Sequence, residues 1–123
     1  PLLQQRNNSG IVRGAIGKGL LTETFAKRLA NDAAFPPFTN AQLSELLPKI
    51  EAIEPHMQAA ALHYLLQSPV VATALIGSRT VEQLQNSLHA YNQTISEDTL
   101  QQIEQLIPFY PYVEHLIDVE RYN

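Results

Sequence analysis

The sequence predicts a mostly helical α/β fold. Three features carry that reading: a β-branched run at Val70–Ile76 that ends on a glycine, a capped helix directly after it, and further stretches with apolar residues at helical spacing. In chain order, AKRLANDAA is weakly helical and runs into the Pro36-Pro37 break. Thr39 or Asn40 can cap the next helix, where Leu43, Leu46, Leu47, Ile50 and Ile53 return to one face and Pro48 is expected to kink or divide it. Met57–Gln67 is apolar on most sides, as in a helix pressed between neighbours, and Ser68-Pro69 ends it. Val70–Ile76 is too short for a separate helix and reads as a strand buried on both faces. Gly77 breaks that run, and Thr80 with Gln83 forms a T-x-x-Q capping box that starts a helix near Val81. Ser96 caps a last helix, with Glu97 and Asp98 suited to its positive end and Leu100, Ile103, Leu106 and Ile107 as an inward stripe, and Pro108 stops it. No repeat or low-complexity linker divides the chain.

Composition narrows the function classes. The chain is 45% hydrophobic, yet no apolar run is long enough for a membrane span. Zero cysteines exclude disulfides and Cys-ligated metals. A net charge of -4, with the basic residues spread along the chain, argues against a nucleic-acid face. His56, His63, His89 and His115 form neither the i, i+4 pair nor the acidic cluster of a helical zinc site, so no metal is expected, and His63 reads as a half-buried packing residue. No basic segment leads into an apolar stretch, which makes the cytoplasm the expected compartment.

The turn after the strand has chemistry of its own. Gly77 permits close backbone approach, Ser78 offers a hydroxyl, Arg79 a forked cation and the helix start a partial positive charge, so a phosphate would find converging donors. The same residues would also suit a solvated βα turn. The order GSRTVEQLQNS, however, resembles the cofactor-binding segment that follows the last barrel strand of the aldo-keto reductases. AALHYLLQSPVVATALIGSR looks like the helix, short turn and strand that lead into that segment, and IVRGAIGKGLLTETF looks like the preceding strand and its loop. Two such motifs in the right order are far more specific than either alone.

The resemblance implies the C-terminal part of a (β/α)8 TIM barrel, a fold of roughly 250 residues, with two short parallel strands here at Ile11–Arg13 and Val70–Ile76. LLQQRNNSG looks like the end of the sixth helix, Met57–Gln67 the seventh and Val81–Ala90 the eighth, so residues 1–123 would form one partial aldo-keto reductase domain ending in a C-terminal tail. The family's Asp-Tyr-Lys-His tetrad belongs to the N-terminal half, so no catalytic residue is assigned. Tyr64, Tyr91, Tyr110, Tyr112 and Tyr122 read as packing or surface residues. The implied cofactor is NADP(H). Carried over by position, Arg13 would pack on the nicotinamide, and Gly14, Ile16 and Lys18 match the pyrophosphate loop. Gly77, Ser78, Arg79 and Gln83 match the 2'-phosphate pocket. Asn86 and Ser87 stand where the family has Glu-Asn for the adenine amino group; Ser87 is shorter and could lose that contact. Ala15 replaces a loop proline, and Glu23 stands where a glycine is usual.

Two buried strands left without neighbours would expose ladder groups and apolar surface. The missing N-terminal half of the barrel, or a second copy of the chain, could cover them. Two functions are therefore expected in competition: the cofactor-binding portion of a reductase, inactive alone, or a noncatalytic oligomerisation or protein-interaction module derived from one.

Overall fold

The computed structural model describes residues 2–31, 38–53 and 56–107. Its elements run α1 (Leu2–Gln5), β1 (Gly10–Arg13), α2 (Phe25–Ala30), α3 (Asn40–Glu51), α4 (Met57–Leu66), β2 (Val71–Leu75), α5 (Val81–Asn92) and α6 (Glu97–Leu106). The Pro36-Pro37 break, the stop at Pro108, the tail with Tyr110, Tyr112 and Tyr122, and His115 lie outside the described residues.

The helix starts obey local capping chemistry. Thr39 accepts from the Gln42 amide while the Gln42 side chain reaches back to the Thr39 amide, a complete capping box for α3. Thr80 accepts from the Gln83 amide to start α5, and Ser96 from the Thr99 amide to start α6. Pro48 does not divide α3, which continues to Glu51 because Leu43, Leu46 and Ile50 are buried on both sides of it. The first turn of α4 has no cap from its own flank: His56 makes no capping bond, and Glu23 instead accepts from the Gln58 amide at 3.4 Å. A carboxylate there also suits the positive end of the helix.

Helix α4 is the hub. Met57 and Ala60 join Phe25, Leu43, Leu46 and Ile50 in the larger core cluster, with Ile103, Leu106 and Ile107 against it. Ala59 and Leu62 turn to a second cluster with Ala90, against which Ala15, Ile16 and Ile76 pack. Burial on two faces is why its sequence is apolar almost all round. Between α4 and α5, Gln58 Nε2 donates to Ser87 Oγ at 3.0 Å, and that hydroxyl donates to the Gln83 carbonyl at 2.9 Å. Ser87→Ala would leave the buried Gln58 amide short of a partner, and the expected cost is about 1–3 kcal/mol, read as a lower urea midpoint.

β1 and β2 pair in parallel, with Ile11 opposite Thr73, Val12 opposite Ala74 and Arg13 opposite Leu75, after an irregularity at Gly10. Burial of β2 on both faces does not hold. Val12 and Ala74 are half-buried, whereas Ile11 and Leu75 are 68% and 54% exposed. The reason is the size of the sheet: helices back one side of two strands, and among the described residues none shields Ile11 or Leu75 on the other.

Candidate functional site

Parallel pairing brings the C-terminal ends of both strands side by side, since Arg13 and Leu75 are partners. The loop from Gly14 and the turn from Ile76 therefore leave the same end of the sheet, the usual position for ligand-binding loops on parallel strands. A common floor holds them: Ala15 and Ile16 from the loop and Ile76 from the turn all rest on the cluster of Ala59, Leu62 and Ala90.

The loop after β1 is left-handed where its sequence allows. Gly14, Gly17 and Gly19 have φ of 85°, 54° and 92°, and Lys18 between them has φ 57°, an uncommon value for a residue with a side chain. Arg13 and Lys18 are exposed, and Ile16 is half-buried on the floor. In the turn after β2, Gly77, Ser78 and Arg79 are exposed. Gly77 has no positive φ, and a Cβ built there would meet nothing within 4 Å. The conformation does not demand glycine at that position, and open space lies above it. Gly77→Ala should accordingly leave stability unchanged or raise it by about 0.4–1 kcal/mol while weakening any ligand that lies against the backbone; a denaturation curve beside a cofactor titration separates these effects.

The Gln83 side chain departs from the capping box expected of it. Its Oε1 accepts from the Arg79 amide at 2.8 Å, one residue before Thr80, so the oxygen braces the turn and the Nε2 protons remain as donors. That bond ties Arg79 to the first turn of α5. Asn86 is exposed. Ser87 is not brought to the surface with the others: it is 8% exposed and engaged in the contact between α4 and α5. The loop that carries Gly14, Ile16 and Lys18 thus follows Arg13, and the turn that carries Gly77, Ser78 and Arg79 follows Leu75, from the same end of the sheet, with Gln83 bonded to that turn and Asn86 about one helical turn beyond it.

The described tyrosines are Tyr64 and Tyr91. Burial, with the Glu104 carboxylate beside it, raises the pKa of Tyr64 above the ordinary phenol value, and the Tyr64 hydroxyl donates to Glu104 at 3.3 Å. Tyr91 stacks on His63, ring centroids 6.4 Å apart and 6° from parallel, with His63 Nε2 3.2 Å from the Tyr91 carbonyl. His63 is half-buried and packs on Tyr91, as expected of it. That pair lines an open groove of about 1170 Å³ along β2, bounded by Leu62 and Leu66 of α4 and by Leu84 and Leu88 of α5. Among the described residues no cluster of three or more His, Asp or Glu is arranged to hold a metal ion, and no helix is long and apolar enough to cross a membrane.

Residues 1–108 match the model of the Aldo/keto reductase family. The chain is 29% identical over 115 residues to an uncharacterized oxidoreductase, YqkF, of Bacillus subtilis (strain 168), covering 85% of this chain and 36% of that protein. The chain therefore spans little more than a third of the length of the curated relative it matches.

Proposed function

Because the chain belongs to the aldo/keto reductase family, we propose that it is the C-terminal, cofactor-holding portion of an NADP(H)-dependent carbonyl reductase whose complete fold is a (β/α)8 barrel. The observation that carries this reading is the placement of both loops at one end of the parallel pair, on one apolar floor. Arg79, with the Ser78 hydroxyl and the Gln83 amide, binds the 2'-phosphate beside the first turn of α5, where the helix dipole adds to the cation. Lys18 offsets the pyrophosphate, Gly14 and Gly77 leave room for the cofactor backbone, and Ile16 ties the loop to the floor. Arg13 stacks its planar cation on the nicotinamide ring. Asn86 presents its carbonyl oxygen to the adenine amino group, and Ser87 contributes only by holding α5 to α4. Bound nicotinamide supplies hydride chemistry to a carbonyl, while the proton donor and its tuning residues belong to the rest of the reductase. Turnover by the isolated chain is not expected.

The rest of the barrel is also the partner this reading calls for, since it would cover the free edges of β1 and β2 and the exposed faces of Ile11 and Leu75. One observation favours the second reading, a noncatalytic interaction module: an open groove runs along β2 between Leu66 and Leu88, with room for a strand from another chain. Titration of the chain with NADP(H) and NAD(H) separates the two. Saturable binding that prefers NADP(H) is the expected result; no binding of either nucleotide, together with a stable assembly through the groove, supports the interaction module instead.

A further inference from the structure

The loop after β1 asks an unfavourable conformation of Lys18. Gly17, Lys18 and Gly19 take positive φ in succession, and only the lysine carries a Cβ that disfavours it. Such a residue persists when its surroundings over-determine it. Two side chains do so here. Thr22 Oγ1 donates to the Gly19 carbonyl at 2.8 Å, and Arg28 Nη1 reaches back from α2 to donate to the Lys18 carbonyl at 2.9 Å. The Arg28 guanidinium lies where a Cβ on Gly19 would collide with it, so the absence of a side chain at Gly19 makes room for Arg28 as well as permitting φ of 92°.

We infer that Arg28 is a positioning residue: its bond to the Lys18 carbonyl fixes the left-handed turn and thereby holds Lys18 ready for the cofactor pyrophosphate. The inference rests on the cofactor reading above for the identity of the anion, and on the loop geometry for the role of Arg28. A bond from a guanidinium to a peptide carbonyl is charge-assisted, and it crosses from α2 to the loop rather than serving α2 itself.

The test compares the wild-type chain with Arg28→Ala, Arg28→Lys and Gly19→Ala, reading amide exchange at Gly17–Leu21 and NADP(H) affinity in each. Arg28→Ala should speed exchange in the loop about tenfold, the lower scale of losing one hydrogen bond to a charged group, and weaken NADP(H) binding several-fold, since only part of that loss reaches Lys18. Arg28→Lys keeps a cationic donor and should recover most of both. Gly19→Ala should loosen the loop more than Arg28→Ala does, because its Cβ both displaces the guanidinium and is itself strained at φ of 92°. Unchanged exchange at Gly17–Leu21 in Arg28→Ala overturns the inference, and so does faster exchange spread evenly through α3 and α4, which would mean a general structural role. A loosened loop with unchanged affinity overturns it too. Failure of the wild-type chain to bind NADP(H), with the exchange difference intact, brings down the cofactor reading and leaves the Arg28 strut standing.

Discussion

Leu62→Ala is expected to destabilise the chain by about 2–5 kcal/mol, out of a total that for a domain of this kind is only about 5–15 kcal/mol. Leu62 is 1% exposed and sits at the centre of the smaller cluster, with Ala59 beside it on α4 and Ala90 facing it from α5. Ala59 and Ala90 are too small to close over the cavity that alanine would leave, while Ile16, Ile76 and Ile95 border it and can relax in part, so the cost should fall near the middle of that range. Ala15, Ile16 and Ile76 rest on this cluster, so the same substitution should loosen the loop and the turn together. The urea midpoint would drop with little change in slope, whereas Leu84→Ala, at a half-exposed position on α5, should leave it nearly unmoved. A loss at Leu62 below about 1 kcal/mol would mean that the site has no common floor.

Arg79→Ala is expected to weaken NADP(H) binding by about tenfold to a hundredfold, while NAD(H) binding changes little. The Arg79 backbone is already held by Gln83, so the loss would come from the guanidinium alone. Its partner would be a phosphate dianion next to a helix N-terminus, where a forked donor makes two parallel bonds. The side chain is exposed, so salt screens the attraction and the difference between the two nucleotides should shrink as ionic strength rises. Exposure also means that folding stability should stay within about 0.5 kcal/mol of wild type. Equal weakening toward both nucleotides would place Arg79 elsewhere than at the 2'-phosphate.

The elements that were legible in the sequence are those written in local chemistry. Thr39, Thr80 and Ser96 each bond an amide three residues on, and each starts a helix at the expected place. The apolar spacing of Leu43, Leu46 and Ile50 likewise needs no knowledge of the rest of the chain. What could not be read depends on distant neighbours. A β-branched run shows that β2 is a strand, but whether its faces are covered depends on how many strands lie beside it. Glu23 drew notice only as a replacement for glycine; its partner is the Gln58 amide, far along the chain and supplied by the packing of the loop on α4. Arg28 carried no signal at all, because its acceptor is a backbone carbonyl and no motif records that. At the candidate site, the residue types at Gly77, Ser78 and Arg79 suggested an anion pocket. The inward turn of Ser87 instead followed from Gln58, an apparently ordinary polar residue on an apolar helix.

On the proposed reading, the loop after β1 and the turn after β2 hold one cofactor together. Amide chemical shifts followed during titration with NADP(H) test it most directly. Saturable shifts are expected at Gly14–Gly19 and at Gly77–Gln83 with a single shared affinity. Shifts confined to one of these segments, shifts along the groove at Leu66, Leu84 and Leu88, or none at all would contradict it.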